Sequence, residues 1–164
     1  MRETDMQTLV LMSQAAFERY LGHAVTAYAE ENIRSGEWPA ADAMDLSRKQ
    51  FARLLPDGIA TPDHYLLEIH VPDAGSEVGV LWLAVEHQAG RRRGFVYDVC
   101  VYPQYRRRGY ATLAFQALEG FAGNLNLSAI ELHVFAHNSG AQALYEGLGY
   151  RATDIRMRKS LADE

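Results

Sequence analysis

The stretch from Tyr97 to Thr112, YDVCVYPQYRRRGYAT, constrains the fold more than any other part of the chain. An apolar strand pattern ends at Pro103, three arginines follow, and after Gly109 apolar residues recur at the spacing of one helix face. The first turn of a helix has unpaired N–H groups and carries the positive end of the helix dipole. Because Arg106 to Arg108 add charge at the same place, this stretch predicts a site for a phosphate group.

The two common phosphate-binding loops do not match this stretch. A Walker loop ends in Gly-Lys-Ser/Thr and a dinucleotide fold has three glycines at fixed spacing, whereas this stretch has one glycine and no lysine. The pattern that it does contain is Arg106-x-x-Gly109-x-Ala111, just after a strand that ends at Pro103. This pattern resembles the pyrophosphate-binding signature of the GNAT superfamily of N-acetyltransferases, which reads Gln/Arg-x-x-Gly-x-Gly/Ala.

A second stretch, from His133 to Tyr150, is similar to the other signature of the same superfamily. It reads HVFAHNSGAQALYEGLGY, with an Asn just past a strand, a short helix ending in Leu-Tyr-Glu, and a closing Leu-Gly-Tyr. The resemblance covers Phe95 to Tyr150 and implies the GNAT fold. That fold is α/β (α+β), a mixed and mostly antiparallel sheet with helices on both faces, whose strands 4 and 5 are parallel and splay apart to admit coenzyme A.

Hydrophobic periodicity predicts the order of the remaining elements. Helices are expected where apolar residues recur at steps of three and four, strands where they alternate or form short runs, and turns at Gly and Pro. In chain order we first expect a strand at Met6–Met12, a helix capped by Ser13 and ended by Gly36 and Pro39, and a helix at Asp42–Leu55. An antiparallel meander of strands at 64–71, 78–85 and 95–101 should follow, with a turn at Gly90–Gly94. The last elements expected are a helix from Gly109, a strand at Ala129–Phe135, a helix at Ser139–Leu148 and a strand at Ile155–Leu161.

With 48% hydrophobic and 23% charged residues, the 164-residue chain has the composition of an ordinary globular protein. Residues 1–164 fit a single domain that can fold without disulfides. Cys100 is the single cysteine, which excludes an intramolecular disulfide and a site of several thiolates, and we expect no metal. There is neither a signal-peptide pattern nor an apolar run of roughly 20 residues, so we expect a cytoplasmic protein that does not bind a membrane.

Charge is distributed unevenly along the chain. Residues 1–77 contain 6 basic against 13 acidic residues, and residues 78–164 contain 10 against 8, for a net charge of −5. Six of the sixteen basic residues form two triplets, Arg91–Arg93 and Arg106–Arg108. A nucleic-acid-binding domain is usually basic, with an extended stripe of cations. Two short clusters on an acidic chain therefore favour a compact phosphate ligand over a nucleic acid.

The resemblance implies which residues hold acetyl-CoA. The backbone of Val99, Cys100 and Val101 would bind the pantetheine and supply a donor to the oxyanion, and Asn138 would bond the pantetheine or a water. The pyrophosphate would lie on Arg106, Arg107, Arg108, Gly109, Tyr110, Ala111 and Thr112. Simpler structural roles remain open for two of these residues, because Asn138 could be a helix cap and Cys100 a small buried strand residue.

The resemblance also implies the catalytic groups. Tyr145 stands where the superfamily places a general acid, since a neutral phenol can protonate the departing thiolate. An alkyl amine with a pKa of about 10 must lose a proton before attack. Asp98 and His133, on the two splaying strands, are the candidate bases. Each has a structural alternative: Tyr145 as a core aromatic, Asp98 as a solvent-facing residue and His133 as a sheet histidine.

The resemblance further places the acidic N-terminal half beside the entry of the acyl acceptor. Five carboxylates lie near the junction of the first two predicted helices: Glu30, Glu31, Glu37, Asp42 and Asp45. They predict a cationic acceptor, because a negative field concentrates cations. A solvated helix surface is an equally good explanation of these carboxylates.

Three functions are compatible with these patterns. The first is an N-acetyltransferase that moves the acetyl group of acetyl-CoA to the primary amine of a small molecule or peptide by direct attack in a ternary complex. The alternative is a non-catalytic acyl-CoA-binding or protein-interaction module on the same fold, for which Tyr145 would have no use as an acid. A nucleic-acid binder is disfavoured by the charge pattern. A covalent route through Cys100 has little support, and a homodimer is left open.

Overall fold

The computed structural model describes residues 8–161. Within them the chain forms five strands and four helices. In chain order these are β1 (Leu9–Leu11), α1 (Gln14–Arg34), α2 (Ala43–Leu54), β2 (His64–His70), β3 (Glu77–Gln88), β4 (Arg91–Val101), α3 (Tyr110–Asn124), β5 (Ile130–Leu132) and α4 (Ser139–Gly147). Of the predicted first strand, Met6 and Gln7 lie outside the described residues.

The five strands form one sheet in the order β1-β2-β3-β4-β5. The first four pair antiparallel and β5 pairs parallel to β4, so the predicted mixed sheet is confirmed. The predicted turn at Gly90–Gly94 is wrong, because Arg91 to Arg93 continue the ladder opposite Gln88 to Glu86. Ala89 and Gly90 both have positive φ, of 50° and 73°. A two-residue turn of that kind matches the twist of the sheet and lets the strands pair at once.

Helices cover both faces of this sheet. On one face α1 and α2 pack on Leu66, Val80 and Trp82, and on the other α3 packs on Leu67, Leu81 and Leu83. Because neighbouring residues of a strand point to opposite faces, the two clusters are separated by the sheet itself. The predicted cap of the first helix is confirmed, since the Ser13 hydroxyl accepts a hydrogen bond from the Ala16 N–H at 3.1 Å.

Pairing between β4 and β5 ends early. Three residue pairs join them, from Gly94 with Ile130 to Val96 with Leu132, and β4 then continues to Val101 without β5 beside it. The predicted strand at Ala129–Phe135 is therefore shorter than expected. The splay of strands 4 and 5 leaves one edge of β4 facing an open gap.

A close approach of β3 and β4 near this gap depends on Gly79. A Cβ at this position would lie 2.1 Å from the Cys100 carbonyl oxygen, a backbone atom that cannot move aside alone. We expect Gly79→Ala to lower the free energy of unfolding by about 1–3 kcal/mol, the usual cost of overpacking. Gly22→Ala is the control, because a methyl there meets nothing within 4 Å and removes a helix-interior glycine, which should stabilise α1 by roughly 0.5–1 kcal/mol. Urea denaturation of both variants distinguishes the two outcomes, and equal stability of Gly79→Ala and the wild type would contradict this account.

The predicted last strand at Ile155–Leu161 is wrong for the single chain. Residues 151–161 pair with no strand among those described, and Ile155, Met157 and Leu161 are 80%, 89% and 91% exposed. A strand pattern needs a neighbouring strand for its backbone groups, and this chain places none beside the segment.

Among the helices of residues 8–161, none combines the length and apolarity needed to cross a membrane.

Candidate functional site

The turn between β4 and α3 presents unpaired backbone donors. Arg107 and Gly109 both have positive φ, of 61° and 77°, and Gly109 occupies the N-cap of α3 without a capping side chain. Within the described part of the chain, the N–H groups of Tyr110, Ala111 and Thr112 consequently have no partner. These three donors and the positive end of the α3 dipole point at one place, which favours an anion.

A cavity of about 320 Å³ lies against this turn. It extends from the end of β4 across the start of α3 to two residues of α4. Its lining residues are Val101, Tyr105, Arg106, Arg107, Gly109, Tyr110, Ala111, Thr112, Gly140 and Leu144. The site therefore combines amide donors and cations with the apolar side chains of Val101 and Leu144.

The three arginines of the turn differ in their contacts. Arg106 folds back on β4, where its Nε donates a hydrogen bond to the Val101 carbonyl at 2.9 Å. Arg107 is exposed and lines the cavity, whereas Arg108 is exposed but is not part of the lining. Arg106 thus fixes the turn on the strand, and Arg107 supplies a cation to the cavity.

A β-bulge next to the gap re-aims Asp98. Trp82 pairs with Asp98 and Leu83 with Val96, so Tyr97 is an extra residue in β4. With regular alternation Asp98 would share the face of Val96, against α3. The bulge turns it toward α1 instead, where the Tyr20 hydroxyl donates a hydrogen bond of 2.8 Å to Asp98 Oδ2.

Burial controls the proton affinity of the groups around Asp98. Burial raises the pKa of Asp98, and hydrogen bonds from the Tyr20 hydroxyl and the Val99 N–H act against this by stabilising the carboxylate. Burial also raises the pKa of Tyr20, to which the Asp98 charge adds. The pKa of the Cys100 thiol is raised by burial and by Asp98, with Arg106 opposing. A protonated thiol is a poor nucleophile, which disfavours a covalent route through Cys100.

Tyr145 lies on α4 with its ring buried and its hydroxyl open. The ring packs edge to face on Phe115, with centroids 5.4 Å apart, and is 9% exposed. The hydroxyl bonds to no group in residues 8–161, and since no buried side-chain oxygen there lacks a partner, this oxygen reaches open space. Burial, followed by the negative charge of Asp98, raises the pKa of Tyr145 to about 12, so the phenol stays protonated at neutral pH.

Two other predicted site residues lie at the surface. His133 is exposed just beyond β5, and its ring contacts Phe135 with centroids 5.1 Å apart. Asn138 caps α4, because its Oδ1 accepts a hydrogen bond from the Ala141 N–H at 3.1 Å. The structural role predicted for Asn138 is therefore present, while its side-chain NH₂ stays available to a ligand.

Sequence reasoning missed Tyr20. Its spacing is that of an apolar residue of the first helix, and nothing in that spacing distinguishes it from its neighbours. Tyr20 meets Asp98 across 78 residues of chain, through a bulge that no local pattern predicts. Because Phe17 and Tyr28 pack in the same cluster, an aromatic residue at this position is not a distinguishing signal either.

The acidic residues near the α1–α2 junction are largely paired. Glu31 bonds Arg34 at 2.9 Å and His137 at 2.6 Å, and Asp45 bonds Arg48 at 3.2 Å. Glu37 pairs with two arginines of the C-terminal segment, Arg156 and Arg158. These cations weaken the negative field on which the expectation of a cationic acceptor depends.

One group within residues 8–161 has the composition of a metal site. Ligand atoms of Glu68, His70 and Glu77 lie within 4.8 Å of one another on β2 and β3. His70 Nε2 lies 3.3 Å from Glu68 Oε2, so two of the three groups already contact each other. The group lies outside the cavity, and the expected absence of a metal stays a prediction.

Comparison with known proteins agrees with this geometry. The model of the "Acetyltransferase (GNAT) family" matches residues 27–150. The "Uncharacterized N-acetyltransferase YycN" of Bacillus subtilis (strain 168) is 39% identical over 153 residues, 93% of this chain and 97% of that protein. The "Uncharacterized N-acetyltransferase YdgE" of the same organism is 37% identical over 154 residues, 94% of this chain and 98% of that protein.

Solved structures have the same architecture. The crystal structure of Bacillus subtilis YycN superposes with a TM-score of 0.90 at 38% identity, covering 94% of this chain and 98% of that one. The structure of the "Putative acetyl transferase from Pyrococcus furiosus" superposes with a TM-score of 0.68 at 20% identity, covering 94% of this chain and 99% of that one, and this likeness concerns the fold alone. The two signatures, the splayed sheet and these relatives together show that the chain belongs to the GNAT family of acetyltransferases.

Proposed function

We propose that this N-acetyltransferase moves the acetyl group of acetyl-CoA directly to a primary amine within a ternary complex. The observation that carries the proposal is the cavity. Its lining includes the three unpaired N–H groups of residues 110–112 and also Leu144, which precedes Tyr145 and its open phenol in α4. A pure binding module would need the unpaired N–H groups but not the phenol. The compartment that fits this activity is the cytoplasm.

The residues present fit coenzyme A. The N–H groups at the start of α3 and the Arg107 cation match a pyrophosphate, which prefers helix N-termini and cationic side chains. Val101 and Leu144 offer apolar walls to a pantetheine arm. On the gap side of β4, the Val99 carbonyl and the Val101 N–H are left without a strand partner and can bond the amides of that arm, as a neighbouring strand would. The Val99 N–H already donates to Asp98, and the Val101 carbonyl accepts from Arg106.

Asp98 is the better placed of the two candidate bases. It is half-buried beside the gap, burial raises its pKa, and its charge acts on Tyr145. His133 is exposed beyond the end of β5. Asp98 would take a proton from the ammonium form of the acceptor, directly or through water, and the free amine would then attack the thioester carbonyl carbon.

Tyr145 would act at the other end of the reaction. As the C–N bond forms and the C–S bond breaks, the thiolate gains the charge that the oxyanion loses. A phenol with a pKa of about 12 keeps its proton at neutral pH, so it can donate a hydrogen bond to the thiolate as charge develops there. The nitrogen loses a second proton as the amide forms, and this proton balances the one that the thiol finally carries, while the proton taken earlier by Asp98 passes to solvent.

A titration test separates Asp98 from His133. The carboxylate of Asp98 is the active form, so activity is present above the pKa of Asp98 and is lost as the pH falls through that pKa. Because the Tyr20 hydrogen bond lowers the pKa of Asp98, Tyr20→Phe should move the acidic limb of the kcat/KM profile to higher pH. Asp98→Asn should lower kcat/KM by about 10² to 10⁴, and His133→Gln should retain the wild-type profile. An acidic limb that stays in place in Tyr20→Phe, or disappears in His133→Gln, would exclude Asp98 as the base.

The acceptor itself is an amine, of a small molecule or a peptide. We propose that this amine is cationic. The preference for a cationic over a neutral or anionic amine should be modest, because the cationic partners of Glu31, Glu37 and Asp45 weaken the negative field that would attract it. Thiol release from acetyl-CoA, measured with the purified chain against a panel of cationic, neutral and anionic amines, tests the function. Release that depends on an amine supports transfer. Binding of acetyl-CoA without release for any amine would favour the non-catalytic module.

A further inference from the structure

The C-terminal segment, residues 151–161, has a strand-like sequence but no strand partner. It is exposed and has no regular secondary structure after Tyr150, whose ring packs against Phe115 beside α3. Along the segment Ile155, Met157 and Leu161 are 80%, 89% and 91% exposed. Residues two apart lie on one face of a strand, so as a strand the segment would present these three apolar side chains, with Lys159 between Met157 and Leu161, on one face that this chain leaves in solvent.

The opposite face of the segment is held in place. Arg158 donates a hydrogen bond to the Gly36 carbonyl at 3.0 Å and pairs with Glu37, and Arg156 reaches the same carboxylate at 3.3 Å. The segment is therefore anchored near the α1–α2 junction, away from the sheet of its own chain. Its apolar face and its backbone point outward from a fixed position.

Both the segment and β5 have unused backbone groups. Residues 151–159 make no backbone hydrogen bond within the described chain. β5 pairs with β4 on one side only, so its outer edge is the end of the sheet. An open edge strand and a stretch of chain such as 151–159, with no backbone hydrogen bond in its own described chain, are the two halves of a strand pair, and each copy of the chain contains both.

Charge favours a second copy as the partner. The segment contains four basic residues and one acidic residue, whereas the rest of the chain contains 12 basic and 20 acidic ones. A basic segment on an acidic chain is attracted to another copy of that chain. On β5 the carboxylate of Glu131, paired with Arg93 at 2.8 Å, remains 41% exposed and offers a local counter-charge.

We propose that residues 151–161 dock as an additional strand on the β5 edge of a second copy of this chain. Because each copy gives a segment and receives one, the contact is self-complementary and closes as a two-fold dimer. Each copy then contributes its 11-residue segment and the three residues of its β5 edge, 14 residues a side, so the interface is smaller than the roughly 20–30 residues a side of a standard one. The alternating sequence of Ile155 to Leu161 has its strand partner in this dimer.

Sedimentation of the full chain over a concentration series, combined with amide hydrogen exchange, tests the dimer. The wild type should sediment as a dimer, with slow exchange in residues 151–161 and in β5. The double variant Ile155→Asp, Met157→Asp should sediment as a monomer, with fast exchange in both places. Both side chains are almost fully exposed, so the variant should keep the thermal unfolding of the single chain and its response to acetyl-CoA.

Leu11→Asp is the matched control. Leu11 is 63% exposed on β1, the opposite edge of the same sheet, and this variant should remain a dimer. A monomeric wild type, a dimer that survives the double variant, or a dimer broken by Leu11→Asp would overturn the proposal. So would a segment that is protected while β5 exchanges freely, because its partner would then be another surface, either of this chain or of a different protein.

Discussion

Tyr145→Phe should lower kcat for acetyl transfer by about 10² to 10⁴, while the dissociation constant of acetyl-CoA stays unchanged. The substitution removes one hydroxyl and keeps the ring that packs on Phe115. Since that hydroxyl reaches open space and has no partner within residues 8–161, its loss leaves no unsatisfied group in the protein. The effect should therefore appear in the chemical step, measured as single-turnover thiol release with calorimetry for binding.

Tyr150→Phe is the control for this prediction. Tyr150 belongs to the same aromatic cluster, with its ring 5.8 Å from Phe115 and 5.9 Å from Tyr145, and burial likewise raises its pKa to about 12. Removing its hydroxyl should leave kcat near the wild-type value. If both variants lost activity equally, the cluster would matter for packing and the assignment of Tyr145 would fail. An unchanged single-turnover rate in Tyr145→Phe would have the same consequence.

Gly109→Glu should abolish the stabilisation of the protein by acetyl-CoA. At 100 times its dissociation constant the ligand should add about 2.7 kcal/mol to the free energy of unfolding of the wild type. A side chain at position 109 meets no protein atom within 4 Å, so it enters the space in front of the α3 N-terminus. There a carboxylate would repel the pyrophosphate and occupy its place. Thermal unfolding with and without acetyl-CoA measures the effect.

The positive φ of Gly109 complicates that comparison, because any other residue there strains the backbone by roughly 1–2 kcal/mol. Gly90→Glu controls for this strain. Gly90 has φ 73°, close to the 77° of Gly109, and it also meets nothing within 4 Å, but it lies in the β3–β4 hairpin away from the cavity. Gly90→Glu should be destabilised yet keep the full response to acetyl-CoA. A preserved response in Gly109→Glu would show that the pyrophosphate lies elsewhere.

Local chemistry was enough to predict the coenzyme end of the site. Gly109 lies between a strand pattern and a helix pattern, and only a residue that tolerates positive φ fits that position, so the turn and the unpaired donors after it follow from the sequence. The parallel pairing of β4 and β5 follows in the same way, because a helix between two strands forms a right-handed crossover. These features depend on residues close together in the chain.

The catalytic end depended on contacts that sequence patterns do not encode. The bulge at Tyr97 changes the face on which Asp98 lies, and a single extra residue leaves no trace in an apolar run. Tyr20 became a partner of Asp98 only through packing of α1 on the sheet. Arg106, expected on the phosphate with its two neighbours, lines the cavity, and its Nε also donates a hydrogen bond to the Val101 carbonyl, a contact that the sequence pattern does not predict.

The same distinction explains the last strand. Alternation in Ile155–Leu161 predicts a strand, but pairing needs a second strand, and residues 8–161 of one chain provide none beside it. Strand patterns describe side-chain faces, whereas the ladder depends on what lies alongside. A pattern without a partner in its own chain therefore indicates where a second chain would bind.

The most direct test of the account is a single-turnover experiment with acetyl-CoA labelled in the acetyl group, in which the amine product and the free thiol are quantified together by mass spectrometry. The account predicts one labelled acetyl-amine for each thiol released, no labelled protein at any time, and loss of both products in Asp98→Asn. Label found on the protein before the amine, or thiol release that exceeds acetyl-amine and does not depend on the amine, would contradict direct transfer.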